Sequence, residues 1–361
     1  MKARQHGIKI GQLMPGNKNC ITDVVGVKVG HVTLDHPIND DGDVACTGVT
    51  AILPHGGNLF RQKVTAASYV LNGFGKTTGL VQVNELGVIE SPIMLTNTFG
   101  VPAVTQGTLQ YLLSQNEEIG LTTGTVNTVV GECNDSYLNS IRRFPVTPNH
   151  AIEAIQCATE GTTEEGAVGA GKGMICFGYK GGIGSSSRLV SLENTNQSYT
   201  VGCLVLSNFG TSSEFMKERY KKNCTQENST LVPTDGSIII VLATDAPLSS
   251  RQLTRVIKRC GIGLGRIGSH FSNGSGDIVI GFTTAHDIPH QTDNHIESRI
   301  QIREDHPIMN QLFMAAAEAT EEAILNSLAQ ATTTVGRHGN QVERYIFDYI
   351  GSTYETNIHL E

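Results

Sequence analysis

Acidic and basic residues make up only 17% of the 361-residue chain, and they gather nowhere into a block of one sign. The net charge of −8 is spread in small groups. That argues against a nucleic-acid surface and leaves solubility as the role of the charge. Long apolar runs are scarce as well. Met1 to Gly16 carries Lys2, Arg4 and Lys9 but no continuous apolar stretch, so neither a signal peptide nor a membrane span is expected, and the cytoplasm is the expected compartment. The cysteines lack CxxC spacing: Cys20, Cys46, Cys133, Cys157, Cys176, Cys203, Cys224 and Cys260 stand singly, which predicts reduced, mostly buried thiols and supports none as a nucleophile. Internal repeats and low-complexity tracts are also missing. What is present is 39% hydrophobic residues and 40 glycines, the composition of a compact enzyme with many tight turns.

β-Branched runs broken by glycine predict strands within residues 20–53, as in Val24 to Gly30 and Val49 to Leu53. Further strands are expected at 174–179, 200–207, 237–244 and 277–284. Helices are expected at 148–160, where Thr147 can cap and Pro148 fits the first turn, and at 249–260 and 307–330. Strands and helices are mixed without a strict βαβ rhythm, which favours an α+β layered architecture over a doubly wound parallel sheet. Residues 211–236 are polar and read as a mobile, solvated linker. It runs abruptly into Ser237-Ile238-Ile239-Ile240-Val241-Leu242-Ala243-Thr244, the strongest buried-strand signal in the chain.

Three familiar patterns do not carry chemistry. Gly166 to Lys172 has the glycine spacing of a phosphate loop, but Gly173 follows where a hydroxyl must ligate Mg²⁺. Gly263-Leu264-Gly265-Arg266-Ile267-Gly268 matches a dinucleotide fingerprint but follows a helical pattern instead of a strand, and reads as a helix stop and turn. His286, His290 and His295 suggest a metal site only until Pro289 is noticed, which interrupts any helix that would align them. No metal or organic cofactor is expected.

The Gly236-Ser237 junction is more specific. A serine heading a buried strand is ordinarily a turn residue. Here Gly236 leaves the preceding carbonyl open to attack by the Ser237 hydroxyl, and a cut at that bond would give Ser237 a free α-amine with a pKa of about 8, able to act as its own general base. Downstream, an extended Ser275-Gly276-Asp277 puts the serine and the carboxylate on one face. Upstream, Asn208 ends a strand, where its amide is suited to stabilise an oxyanion.

Asn208-Phe209-Gly210, Asp235-Gly236-Ser237, Ala243 to Leu248 and Asn273-Gly274-Ser275-Gly276-Asp277 together resemble the L-aminopeptidase/D-Ala-esterase/amidase family, which includes the β-peptidyl aminopeptidases. The likeness spans nearly the whole chain, with further matches at Ile21 to Val24, Thr47 to Pro54, Thr96-Asn97-Thr98, Gly131 to Asp135 and Gly166 to Gly184. The resemblance implies a single domain with an αββα four-layer sandwich, similar to amino-terminal-nucleophile hydrolases but differently connected. It implies self-cleavage into an α chain, 1–236, and a β chain, 237–361, that stay together. By the same resemblance Ser237 is the nucleophile, Ser275 its hydrogen-bonding partner, and Asp277 the acidic position, where some members carry Glu. Asn208 is the oxyanion residue and Glu132 holds the substrate's free amine. Asn134 stands near a position where some members have a tyrosine. The implied activity is release of amino-terminal residues from short peptides, aminoacyl amides or esters through an acyl-enzyme, by a homotetramer. An amidase of the same fold without peptidase activity and a non-catalytic binding protein are the alternatives that the sequence leaves open.

Overall fold

The computed structural model of the chain describes residues 1–192, 198–220 and 236–347. Its strands, in chain order, are β1 (Lys28–Pro37), β2 (Val44–Leu53), β3 (Gln62–Gly73), β4 (Val88–Ile89), β5 (Ile93–Asn97), β6 (Val129–Cys133), β7 (Ile175–Cys176), β8 (Tyr179–Lys180), β9 (Gly182–Ser191), β10 (Ser198–Asn208), β11 (Ser237–Thr244), β12 (Gly276–Pro289), β13 (Thr334–Val335) and β14 (Gln341–Val342). The α-helices are α1 (Leu80–Leu86), α2 (Val101–Gln115), α3 (Pro148–Gln156), α4 (Ser250–Ile257), α5 (Cys260–Ile267) and α6 (Ile308–Ala329).

Two sheets form the centre. One has the order β1-β2-β5-β6 and the other β4-β3-β12-β11-β10-β9. The layers follow from side-chain alternation along β11, because successive residues of a strand point to opposite faces. Ile239, Val241 and Ala243 share an apolar cluster with Ile52, Leu95 and Val129 of the first sheet, so this face lies between the sheets. Ile238, Ile240 and Leu242 instead pack with Leu253, Leu264, Leu312 and Leu325 of α4, α5 and α6. The outer face of the first sheet is covered by α2 and α3, through Val104, Ala151, Ala154 and Ile155. The result is the αββα sandwich. A strand buried on both faces must be apolar at nearly every position, which is why β11 reads as a continuous run.

Several local expectations are corrected. The segment Val24 to Gly26 is a turn, with Gly26 at φ 88°, and β1 starts only at Lys28. The expected strand 174–179 is a tight ribbon, β7 and β8, folded around Phe177 and Gly178, both with positive φ. The glycine run 263–268 supplies most of a helix before Gly268, at φ 123°, ends it: a Cβ on Gly263 would lie 2.5 Å from the Ala317 carbonyl oxygen, so the missing side chain there lets α5 press onto α6. Of the linker expected at 211–236, residues 221–235 lie outside the described residues. The portion before them is not simply solvated, since Phe215 stacks on Phe177 at 4.8 Å and, with Tyr220, is buried in the core. His286 meets the Ile300 carbonyl at 2.7 Å, and the His290 ring packs on Phe60 at 4.2 Å.

α6 is buried on nearly every side, its acidic residues included. Glu318 and Glu322 are matched by the fully buried Arg188 of β9, with N···O distances of 3.1 and 2.7 Å, and Arg4 reaches Glu322 at 2.8 Å. Charges enclosed this way are tolerated because each has a partner, and removing one partner would strand the other. Among the described residues no helix is long and apolar enough to cross a membrane.

Candidate active site

Ser237 opens β11 and stands between two strands: Asn208 faces it on the antiparallel neighbour β10, and Gly276 faces it on the parallel neighbour β12. A parallel pair starts both strands at the same end of the sheet, so Ser237 and the turn before β12 come together although they are 38 residues apart, by the difference of 275 and 237. The Gly276 amide lies 3.2 Å from the Ser237 Oγ and also 3.2 Å from the Gly236 carbonyl oxygen. One N–H therefore addresses both the hydroxyl and the carbonyl that precedes it.

Ser275 donates its hydroxyl to Asp277 Oδ1 at 2.6 Å. Ser275 is itself fixed by a backbone turn to Ser272 at 2.9 Å and by Asn72, which donates to its carbonyl. Asp277 is fully buried, and its second oxygen has no partner among the described residues. Burial raises its pKa from 3.8 to about 6, against the opposing pull of the Ser275 hydroxyl. The cause is desolvation of the charge, so near neutrality this carboxylate ionises within the physiological range.

Asn208 is held from both ends. Its Oδ1 accepts from the Ile175 amide at 2.9 Å, and its Nδ2 donates to the Asn134 carbonyl at 3.0 Å. The ribbon that supplies Ile175 is clamped from beneath by Lys180, a fully buried lysine whose ammonium donates to the carbonyls of Gly171, Met174 and Gly181 at 2.7–2.9 Å. Burial lowers the pKa of that ammonium to about 7.

Glu132 lies on β6 beside β5, where Thr96 is its cross-strand neighbour. The Asn97 carboxamide accepts from the amides of Phe99 and Gly100 at 3.0 and 2.8 Å, tightening a short 3₁₀ turn that brings the Thr98 hydroxyl onto Glu132 Oε2. The other oxygen, Oε1, accepts from the Lys76 amide at 2.8 Å. Both donors hold the carboxylate in place. Asn134 accepts from the Ser136 amide at 3.0 Å, and its side chain is exposed at the cleft.

A cleft of about 260 Å³ joins these groups: Ser237, Gly236, Glu132, Asn134, Thr98 and Lys76 line it, with Phe74, Phe99 and Ile141 giving it apolar walls. Ser275, Asp277 and Asn208 are buried and do not line it. Among the described residues no cysteine lines this cleft, and burial pushes Cys46 up to about 11 and Cys176 and Cys260 up to about 12. Cys157 is exposed, and Cys224 lies outside the described residues.

Thr98 and Lys76, the two groups that hold Glu132, carry no role in the sequence reading. They lie 34 and 56 residues from it, and no spacing rule connects them.

The profile of Peptidase family S58 matches residues 19–342. Beta-peptidyl aminopeptidase BapA of Sphingosinicella microcystinivorans is 38% identical over 95% of this chain and 89% of its own. A protein of Pyrococcus horikoshii OT3 solved by crystallography is 47% identical, with a TM-score of 0.87 over 96% of this chain and 97% of that one. The l-aminopeptidase d-ala-esterase/amidase of Ochrobactrum anthropi, described as a prototype for the serine aminopeptidases and a variant of the Ntn hydrolase fold, is 31% identical with a TM-score of 0.85 over 96% of both chains. With a matched profile over most of its length and relatives that align nearly end to end, the chain belongs to peptidase family S58 and is a serine aminopeptidase.

Proposed function

We propose that the chain cuts its own Gly236-Ser237 bond and that Ser237, as the new amino terminus, then releases amino-terminal residues from short peptides, aminoacyl amides or esters. The observation that carries this reading is the Gly276 amide, 3.2 Å from both the Ser237 Oγ and the Gly236 carbonyl oxygen. In the first reaction Oγ attacks the Gly236 carbonyl carbon, the Gly276 N–H stabilises charge on its oxygen, and the C–N bond breaks as the hydroxyl proton passes to the departing nitrogen, leaving an ester and a free amine on Ser237. Water hydrolyses the ester and frees the hydroxyl.

In the second reaction the substrate's ammonium pairs with Glu132 while its first carbonyl meets Ser237. The Ser237 amine takes the proton from Oγ, and the Ser275–Asp277 pair supports the developing charge. Asn208, released from the Asn134 carbonyl, serves the oxyanion together with backbone amides. The leaving amine carries away the proton, and water resolves the acyl-enzyme. Amine capture restricts attack to the first bond, and the apolar walls at Phe74, Phe99 and Ile141 take the side chain. The name of the BapA relative adds β-amino acyl residues to the substrates worth assaying. The active form on this reading is a homotetramer, which light scattering would measure.

The intact mass of freshly purified, denatured protein tests the reading. Two fragments meeting at Gly236/Ser237 are expected from the natural chain, and one uncut, inactive chain from Ser237→Ala. A processed, active Ser237→Ala protein would refute it.

A further inference from the structure

Lys76 stands in the cleft without a use in the chemistry above. Its amide is bound to Glu132, and the residue lies exposed, with the ammonium 4.7 Å from the centre of the Phe74 ring. Among the described residues it forms no ion pair, although other exposed cations of the chain, such as Arg251 and Arg299, do. The loop that carries it forms a wall of the site. A Cβ placed on Gly75 would lie 3.6 Å from Glu132 Oε1 and 3.7 Å from the Gly276 Cα, so residues 74–76 bridge the amine-binding carboxylate and the nucleophile's neighbour.

The cleft thus carries one fixed negative group and, a four-carbon stem away, one positive group with no anion of its own among the described residues. A cation resting on an aromatic face is held there weakly and can be recruited by a carboxylate without breaking an existing ion pair. An amino acid chain extends about 3.3–3.6 Å per residue, so a dipeptide reaches roughly 7 Å from its ammonium to its carboxylate. With the ammonium on Glu132 and the scissile carbonyl at Ser237, the leaving residue's carboxylate would lie about 7 Å from Glu132, a span that the four-carbon stem of Lys76, whose amide is anchored on Glu132 in the same cleft, can cover.

We propose that Lys76 is a specificity-determining residue that pairs with a carboxylate on the leaving residue, so that the enzyme prefers dipeptides with a free carboxy terminus over the same compounds amidated. The proposal rests on the assignment of Glu132 and Ser237 made above. A solvent-exposed pair has a modest effect, about two- to fivefold in kcat/KM, and it weakens as salt rises.

The test is a matched pair of substrates, an aminoacyl-glycine and the corresponding aminoacyl-glycinamide, assayed with the processed natural enzyme, Lys76→Met and Lys76→Glu. Both variants keep the main-chain N–H that holds Glu132. The expected result is a ratio of kcat/KM favouring the free carboxylate, diminished by 0.5 M salt, lost in Lys76→Met and reversed in Lys76→Glu. Cleavage of both substrates with a ratio that is the same in all three proteins, or insensitive to salt in the natural enzyme, would overturn the role of Lys76 and leave Ser237 and Glu132 standing. Cleavage of neither substrate by the natural enzyme would instead overturn the underlying assignment, and this proposal with it. The salt dependence of the natural enzyme keeps the test decisive even where a variant does not process.

Discussion

Replacing Asp277 by Asn removes one ionisation from the site and little else, since the two side chains have nearly the same shape. In the natural chain the buried carboxyl has a pKa of about 6 and accepts the Ser275 hydroxyl at 2.6 Å. At pH 7 about nine-tenths of it is ionised and at pH 5 about one-tenth, so activity that needs the carboxylate falls roughly tenfold between the two from this group alone. The Ser237 amine, with an ordinary pKa of about 8, must also be unprotonated to take the hydroxyl proton. Log kcat/KM should therefore fall with a slope of one below about pH 8 and steepen to two below about pH 6. In Asp277→Asn the second steepening disappears. Hydrogen bonds to charged groups contribute about 1.5–3 kcal/mol against about 0.5–1.5 for neutral ones, so the plateau rate should drop by about tenfold as the Ser275 hydroxyl loses a charged acceptor. Asp277→Glu, which restores a carboxylate, should bring the steep limb back. A pH profile with a slope of two below pH 6 that survives in Asp277→Asn would refute the assignment. The stability of the fold runs the other way: because burial raises this pKa, the stabilising contribution is present at low pH and is lost as pH rises through about 6.

Thr98→Val deletes the hydroxyl that Glu132 Oε2 accepts. Initial-rate kinetics should show KM for free-amine substrates rising about tenfold or more, with kcat changed less, because the loss falls on binding of the amine. Gly236→Ala places a Cβ 2.6 Å from the Phe209 Cα and 3.0 Å from the Asn208 carbonyl oxygen, so the backbone at the cut site must shift. Mass spectrometry over a time course should find the full-length chain persisting long after the natural protein is processed.

β11 and β12 were legible because strands buried on both faces leave an unbroken apolar run, and α6 because its pattern is long. One feature of α6 has no signature in the sequence. Its glutamates would ordinarily mark a solvated face, yet Glu318 and Glu322 are enclosed with Arg188 and Arg4, partners more than 100 residues away. The helix expected at 249–260 is α4, which ends at Ile257; a second helix, α5, runs from Cys260 through the glycines that suggested a stop, where Gly263 lies against the backbone of α6 and Gly268 ends the helix. At the site, Ser237 and the Ser275–Asp277 pair were visible because each sits at the start of a strong strand, where a local pattern changes. Glu132 entered only through family resemblance. Its partners, Thr98 and the Lys76 amide, depend on the register of β5 against β6 and on the path of a loop, which no one-dimensional pattern records.

The strand order β4-β3-β12-β11-β10-β9 decides what the proposed cut would do to the fold. Strands β12 and β11 come from the segment after Gly236, and their neighbours on both sides, β3 and β10, from the segment before it. A cut at Gly236-Ser237 therefore yields two polypeptides woven into one sheet, with the later piece clasped between two parts of the earlier one. Before the cut, recovery from urea is a first-order event within one chain; afterwards it is a bimolecular encounter whose rate depends on concentration. Dilution favours the separated, aggregation-prone halves, so unfolding becomes irreversible in practice and durability depends on the barrier to opening, not on the equilibrium. The proposed cut would turn a protein that can fold repeatedly into one that folds once.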